Sequence, residues 1–228
     1  MRRVSQFVPP QRFRLYELRR SSDSVRVKYF DRHFCEREDD PDESRKAIEY
    51  YRGARRYFER QAAEMSGKSL EDSGAEASVA YTEVQADLGR AVSRLGEALR
   101  FAGRIREALE YKVQSLEIWE ALKRSRAIYL ARIRLAIVLD QADRSPEARE
   151  ILRELRAGLS GEDADLIVYA DFIHESLALV LIRAGDTAAA IPELNAALEI
   201  RRQRGHAKMI ERTNDLLRRL GQERPQPV

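Results

Sequence analysis

The stretch LGEALRFAGRIREALEYKVQSLEIW, residues 95–119, decides the fold. Leading into it, Val79, Val84, Leu88, Val92, Leu95 and Leu99 recur at helical spacing with no proline between them, which predicts one long helix from Ala75 to Phe101. Gly103 then offers a residue free to turn left-handed, and Ile105, Ala108, Leu109, Val113, Leu116 and Trp119 form the apolar stripe of a second helix ending near Leu122. So short a connection implies antiparallel packing. The trio of small residue, turn residue and small residue, here Gly96, Gly103 and Ala108, returns as Ala136, Asp143 and Ala148, and again as Ala178, Gly185 and Ala190. Recurrence at about 40 residues marks a helical repeat array, which offers a long groove instead of a pocket.

The second unit reads as a helix from Ile128 to Leu139, a break at Gln141-Ala142-Asp143, and a helix opening at Ser145-Pro146-Glu147. Ser145 is expected to cap it, with Pro146 in the first turn, where its missing N–H is not needed. Gly158 and Gly161 bracket the exit. The third unit runs from about Asp165 to Arg183 and from Thr187 to Arg204, with Pro192 in or near the first turn of its second helix and Gly205 at its end. Met209, Ile210, Thr213, Leu216, Leu217 and Leu220 then make an amphipathic helix suited to cover the last repeat. The expected fold is all-α: a right-handed α-solenoid of antiparallel helix pairs over residues 75–221, closed by a C-terminal capping helix. The tail, 222–228, holds two prolines and is expected to be flexible.

Toward the N-terminus, Ser44 to Met65 reads as a helix with Ala47, Ile48, Tyr51, Ala54, Tyr57 and Phe58 on its buried side. A partner from Val25 to Arg37 would make residues 25–74 a degenerate helical hairpin, with a polar loop at Ser66–Ser73. Alternation in Arg12–Leu18 and Val25–Phe30 around Ser21–Ser24 leaves a β-hairpin as the alternative. Residues 1–24 form a basic arm, in which Arg12, Arg14, Tyr16, Arg19 and Arg20 interleave charge with an aromatic ring. An acidic cluster from Glu36 to Glu43 follows it.

Composition excludes several classes. The 41 Lys and Arg exceed the 38 Asp and Glu by three, far from the dense positive field of a nucleic-acid coat. A single cysteine, Cys35, permits no internal disulfide, and the longest apolar runs, such as Leu177–Ile182, are too short to span a bilayer. A cytoplasmic protein is expected, with no membrane association, and the preponderance of arginine over lysine is associated with bacterial origin.

The residues Leu95, Gly96, Leu99, Gly103, Ala108, Leu109, Tyr111 and Leu116 together resemble a tetratricopeptide repeat. Gly96 and Ala108 stand where that family brings its two helices close, and Ala136 with Ala148 and Ala178 with Ala190 occupy the same places. The resemblance covers about Tyr81 to Arg204. Two departures stand out, Asp143 at a turn glycine and a period longer than the usual ~34 residues. Longer periods resemble the subgroup found in kinesin light chains and bacterial peptide-sensing regulators. The resemblance implies that first helices line a concave face, which would place Arg90, Arg94 and Glu97, then Arg134, Ile137 and Asp140, then Glu175, Leu179 and Arg183, and finally Arg212 toward a partner. Members that clamp a chaperone's C-terminal carboxylate use lysine and asparagine there, where the matching positions of this chain carry Ser93, Glu97 and Arg134.

No catalytic or metal constellation emerges. Ser66-Gly67-Lys68-Ser69 has Ala62 where a phosphate loop needs its first glycine, and His33, His174 and His206 lack metal-ligand spacing with Cys35 or one another. No enzyme activity and no cofactor are expected. The leading expectation is a protein-interaction adaptor holding a protein or peptide in its groove, as a subunit of a bacterial regulatory assembly. The alternative is a partner-responsive sensor with the N-terminal arm as its switch. Nucleic-acid binding by that arm ranks below both.

Overall fold

The computed structural model describes residues 20–21, 24–25, 41–66 and 75–222, in two compact units, Met1–Arg104 and Ile105–Val228. In the first unit, β1 (Arg20–Ser21) and β2 (Ser24–Val25) pair antiparallel, Arg20 opposite Val25 and Ser21 opposite Ser24. Val25 is thus in a strand and does not open a helix; the rest of the expected Val25–Arg37 helix lies outside the described residues, as do the Ser66–Ser73 loop beyond Ser66, the tail beyond Gln222, and Arg12, Arg14, Tyr16 and Arg19 of the arm. α1 (Pro41–Ser66) packs along α2 (Ala75–Phe101). Ala47, Ile48, Phe58 and Ala62 of α1 and Ala91, Val92, Leu95, Ala98 and Leu99 of α2 are buried, on one face of each helix. Tyr57 departs from expectation, standing 38% exposed with its ring edge-on to Phe58, and Val79 is open to solvent.

The second unit holds α3 (Ile105–Ala121), α4 (Ser125–Gln141), α5 (Ser145–Gly158), α6 (Ala164–Ile167), α7 (Ala170–Arg183), α8 (Thr187–Arg204) and α9 (Ala207–Gln222). α3 packs on α4, α4 on α5, α5 on α7, α7 on α8 and α8 on α9, while α4 also packs on α6 and α7, so the helices stack as pairs. The small residues of the repeat explain the close approach, since Ala136 and Ala148 on α4 and α5, and Ala178 and Ala190 on α7 and α8, are all fully buried. Around them Ile133, Leu152, Ile173, Val180, Leu194 and Leu220 form one continuous core. α3 turns a different face inward from the predicted stripe: Ala108, Lys112, Ser115 and Trp119 are buried, while Val113 is 40% exposed.

Five turns among the described residues close in one way. Gly103, Lys123, Asp143, Gly185 and Gly205 take left-handed φ values of 53–80°. Each donates its N–H to the carbonyl three residues back, and the following N–H reaches the carbonyl five back, that of Leu99, Trp119, Leu139, Leu181 or Arg201, at N···O distances of 2.9–3.3 Å. Asp143 therefore does stand in a glycine-like conformation, at a strain that a Cβ imposes.

Three local expectations are corrected. Ser145 does not cap α5; Arg144 holds the cap position without a side-chain capping bond, and the Ser145 hydroxyl donates to Asp140 Oδ1 at 2.6 Å because the left-handed Asp143 folds the chain back over the end of α4. The predicted Asp165–Arg183 helix is broken into α6 and α7 at Val168–Tyr169. The break is tolerated because Arg204 of α8 supplies donors to the freed carbonyls, Nη1 to Val168 at 3.0 Å and Nη2 to Ile167 at 2.9 Å. Pro192 lies within α8 beyond its first turn, so the Ala188 carbonyl loses a helical donor; Ala188 is exposed and meets water instead.

Candidate functional site

The ten groove positions expected from sequence divide between the units. In the first unit Arg90, Arg94 and Glu97 lie on α2, half-buried; Arg90 Nη2 bonds Asp87 Oδ1 at 2.5 Å, and Glu97 receives Arg100 at 2.8 Å. Burial and the neighbouring charge of Glu83 push the Asp87 carboxyl up to about 6. The others lie in the second unit: Arg134, Ile137 and Asp140 on α4, Glu175, Leu179 and Arg183 on α7, and Arg212 on α9. Arg20 is in β1.

Within the second unit the structure brings four of these charges together in two pairs. Glu175, Leu179 and Arg183 follow one another at one-turn intervals along α7, so they share a face. At one end Arg183 Nε meets Asp140 Oδ2 at 2.9 Å, with the arginine side chain 54% exposed and the aspartate 6%. At the other, Arg212 Nε stands 3.9 Å from Glu175 Oε1, with the arginine again largely in water and the glutamate buried. Leu179 lies between them, 38% exposed. Both carboxylates are thus engaged inside the chain, and both cations stand outward over them. Arg134 and Ile137 are half-buried on α4, and the positive charge of Arg134 reaches the Tyr169 hydroxyl.

Glu175 also belongs to a network that sequence reading missed. Arg201 of α8 has no exposed surface, yet its Nη1 and Nη2 bond Glu175 at 3.0 and 2.9 Å, its Nε bonds Asp171 at 3.1 Å, and Nη1 also bonds Thr213 Oγ1 of α9 at 2.6 Å. Arg204 holds the other oxygen of Asp171 at 2.7 Å. Burial opposes the Arg201 charge, but the bonds and charges of Glu175 and Asp171 outweigh it and hold the guanidinium above its ordinary range. A signal was present: Arg201 holds the turn position occupied by Leu99, Trp119, Leu139 and Leu181 elsewhere, so a charge stands where the repeat calls for an apolar side chain. A second buried carboxylate, Glu193, joins α8 to His174 Nδ1 of α7 at 2.6 Å and to Arg156 Nε of α5 at 2.7 Å.

These groups pair with one another at the seams between helices and leave no nucleophile beside a base, nor any cluster of His, Cys, Asp or Glu among the described residues that could hold a metal. None of the described helices is long and apolar enough to cross a membrane.

Residues 129–154, from α4 into α5, match the tetratricopeptide repeat family model. That span contains Ala136, Asp143 and Ala148, the second of the three trios read from the sequence. Similar solved structures include BtubC (BKLC) from P. vanneervenii, at 15% identity over 81% of this chain and 95% of that one with a TM-score of 0.43. The nearly identical TPR-like repeats of a Podosopora anserina protein described as a kinesin light chain align at 16% identity over 82% of this chain and 100% of theirs, with a TM-score of 0.41. No curated protein matches the sequence.

Proposed function

We propose that this helical repeat protein, which carries a tetratricopeptide repeat at residues 129–154, is a non-enzymatic adaptor that holds a partner protein or peptide along the α4–α7–α9 face of its second unit. Repeats of this kind generally mediate protein–protein interaction. The observation that carries the reading is the row on α7: an exposed leucine with an outward arginine at each end, each arginine standing over a carboxylate that is itself buried. Leu179 supplies apolar area for a partner side chain, and Arg183 and Arg212 supply charge for flanking acidic groups. Because Asp140 Oδ2 holds the Arg183 guanidinium at 2.9 Å, that arginine is positioned before a partner arrives, which lowers the ordering cost of binding.

The experiment is affinity capture from the source organism with wild-type and Leu179→Glu baits, followed by mass spectrometry and titration of the protein found. A partner held by the wild type should lose at least about tenfold in affinity to Leu179→Glu, and Arg183→Glu with Arg212→Glu should slow its association. A partner that binds wild type and all variants alike would remove this face from the reading.

A further inference from the structure

The connection from Gly158 to Tyr169 is held differently from the rest of the second unit. α6 is one turn long, below the length at which a helix sustains itself. Of its side chains Leu166 is buried in the core, while Ile167 and Val168 are 40% and 44% exposed. Gly158 makes room for Leu166, since a Cβ there would stand 2.8 Å from Leu166 Cδ2.

Leu159 packs half-buried against the same core, and the remaining anchors are polar and at the surface. The Tyr129 hydroxyl in the first turns of α4 donates to Asp163 Oδ2, and Arg126 bonds Asp165 at 3.1 Å with both side chains largely exposed. Asp163 caps α6 through the N–H groups of Asp165 and Leu166, and Arg204 reaches the Ile167 and Val168 carbonyls from α8. Exposed pairs of this sort contribute little individually. The flanking helices do not depend on them. Arg204 keeps Asp171 as a partner, and α7 begins with its own bond from the Ile173 N–H to the Tyr169 carbonyl at 2.8 Å.

We propose that α6 is a strap that opens on its own: residues 159–168 detach from α4 and α8 as a unit while α4, α5, α7 and α8 stay folded. Closed, the strap ties the start of α4 to the α7–α8 pair and fixes their spacing at that edge. Open, it withdraws Leu166 from the core and frees α4 to shift against α7. The device stands on these contacts alone and does not require the partner-binding reading.

Native-state amide exchange on the full chain tests it. The Ile167 and Val168 amides, bonded to the Asp163 and Ala164 carbonyls at 3.0 and 3.4 Å, should exchange at least about 100-fold faster than those of Val180 and Leu181 in α7. Asp163→Ala, which removes both the cap and the Tyr129 partner, should speed them by about a further fivefold while α7 protection and the urea midpoint stay as in wild type. Ile167 and Val168 protected as strongly as Val180 and Leu181 would overturn the strap. So would an Asp163→Ala variant in which α7 protection falls in step with α6.

Discussion

Replacing the buried Arg201 by methionine should strongly destabilise the second unit. The guanidinium has no surface in water and makes four hydrogen bonds to groups on α7 and α9, to Asp171, twice to Glu175, and to Thr213. Methionine fills much of the stem volume but strands the Glu175 carboxylate, whose side chain is 5% exposed, with the water-facing Arg212 at 3.9 Å. Asp171 suffers less because Arg204 still holds it at 2.7 Å. Breaking a buried pair from one side costs about 3–5 kcal/mol, mostly as the penalty on the charge left behind. Removing both charges, Arg201→Met with Glu175→Met, takes away that penalty and should cost less than the sum of the single changes by at least about 2 kcal/mol. Trp119, the single tryptophan, is buried in α3 of the same unit, so its fluorescence in a urea titration reports this unit directly. A loss below about 1 kcal/mol for Arg201→Met, or strictly additive single changes, would refute the account of this network as a coupled buried charge cluster.

Three further outcomes follow from the same geometry. Asp143→Gly and Lys123→Gly relieve left-handed strain at φ 61° and 53°, and each should raise the Trp119 urea midpoint by the equivalent of about 1 kcal/mol. The Asp87 carboxyl binds its proton more tightly folded, at about 6, than unfolded, at 3.8; its contribution is therefore full below about pH 4 and lost as pH rises through 6. Far-UV circular dichroism in urea should show wild type losing about 1–3 kcal/mol relative to Asp87→Asn between pH 4 and pH 7, the Arg90 pair holding the loss below the full shift. Ala148→Leu forces three extra carbons into the fully buried contact between α4 and α5, and should cost about 1–3 kcal/mol in a thermal melt, while the same change at exposed Ala188 should fall within about 0.5 kcal/mol of wild type.

The repeat was legible because it rests on short-range physics. Gly103, Gly185 and Gly205 each permit a left-handed turn, and alanines at 136, 148, 178 and 190 each remove the bulk that would hold two helices apart; both effects follow from the residue itself. The direction in which a given side chain points was less legible. The inward face of α3 includes Lys112 and Ser115, which no hydropathy pattern would choose, and Ser145 left its expected capping role for a bond to Asp140. Of the expected groove residues, Asp140 and Glu175 turned inward because each met an arginine from another helix, Arg183 and Arg201, more than 25 residues away in sequence. Leu179 stayed exposed because its face of α7 has charged pairs at both ends.

From Ala75 onward the sequence by itself determined most of the helices, their order, the turns at Gly103, Asp143, Gly185 and Gly205 and the small residues on which the helices stack, since each depends on the propensity of one residue or a period of a few. Only the tertiary structure decided that the third repeat opens with a separate turn, α6, and that a buried arginine joins α7, α8 and α9. Those features depend on pairings between residues far apart in the chain, such as Arg204 with the Ile167 carbonyl and Arg201 with Glu175. Burial makes the Arg201–Glu175 pairing a fixed point of the fold, while the exposed Arg204 contact stays a weak one, and burial is known only once the helices have packed.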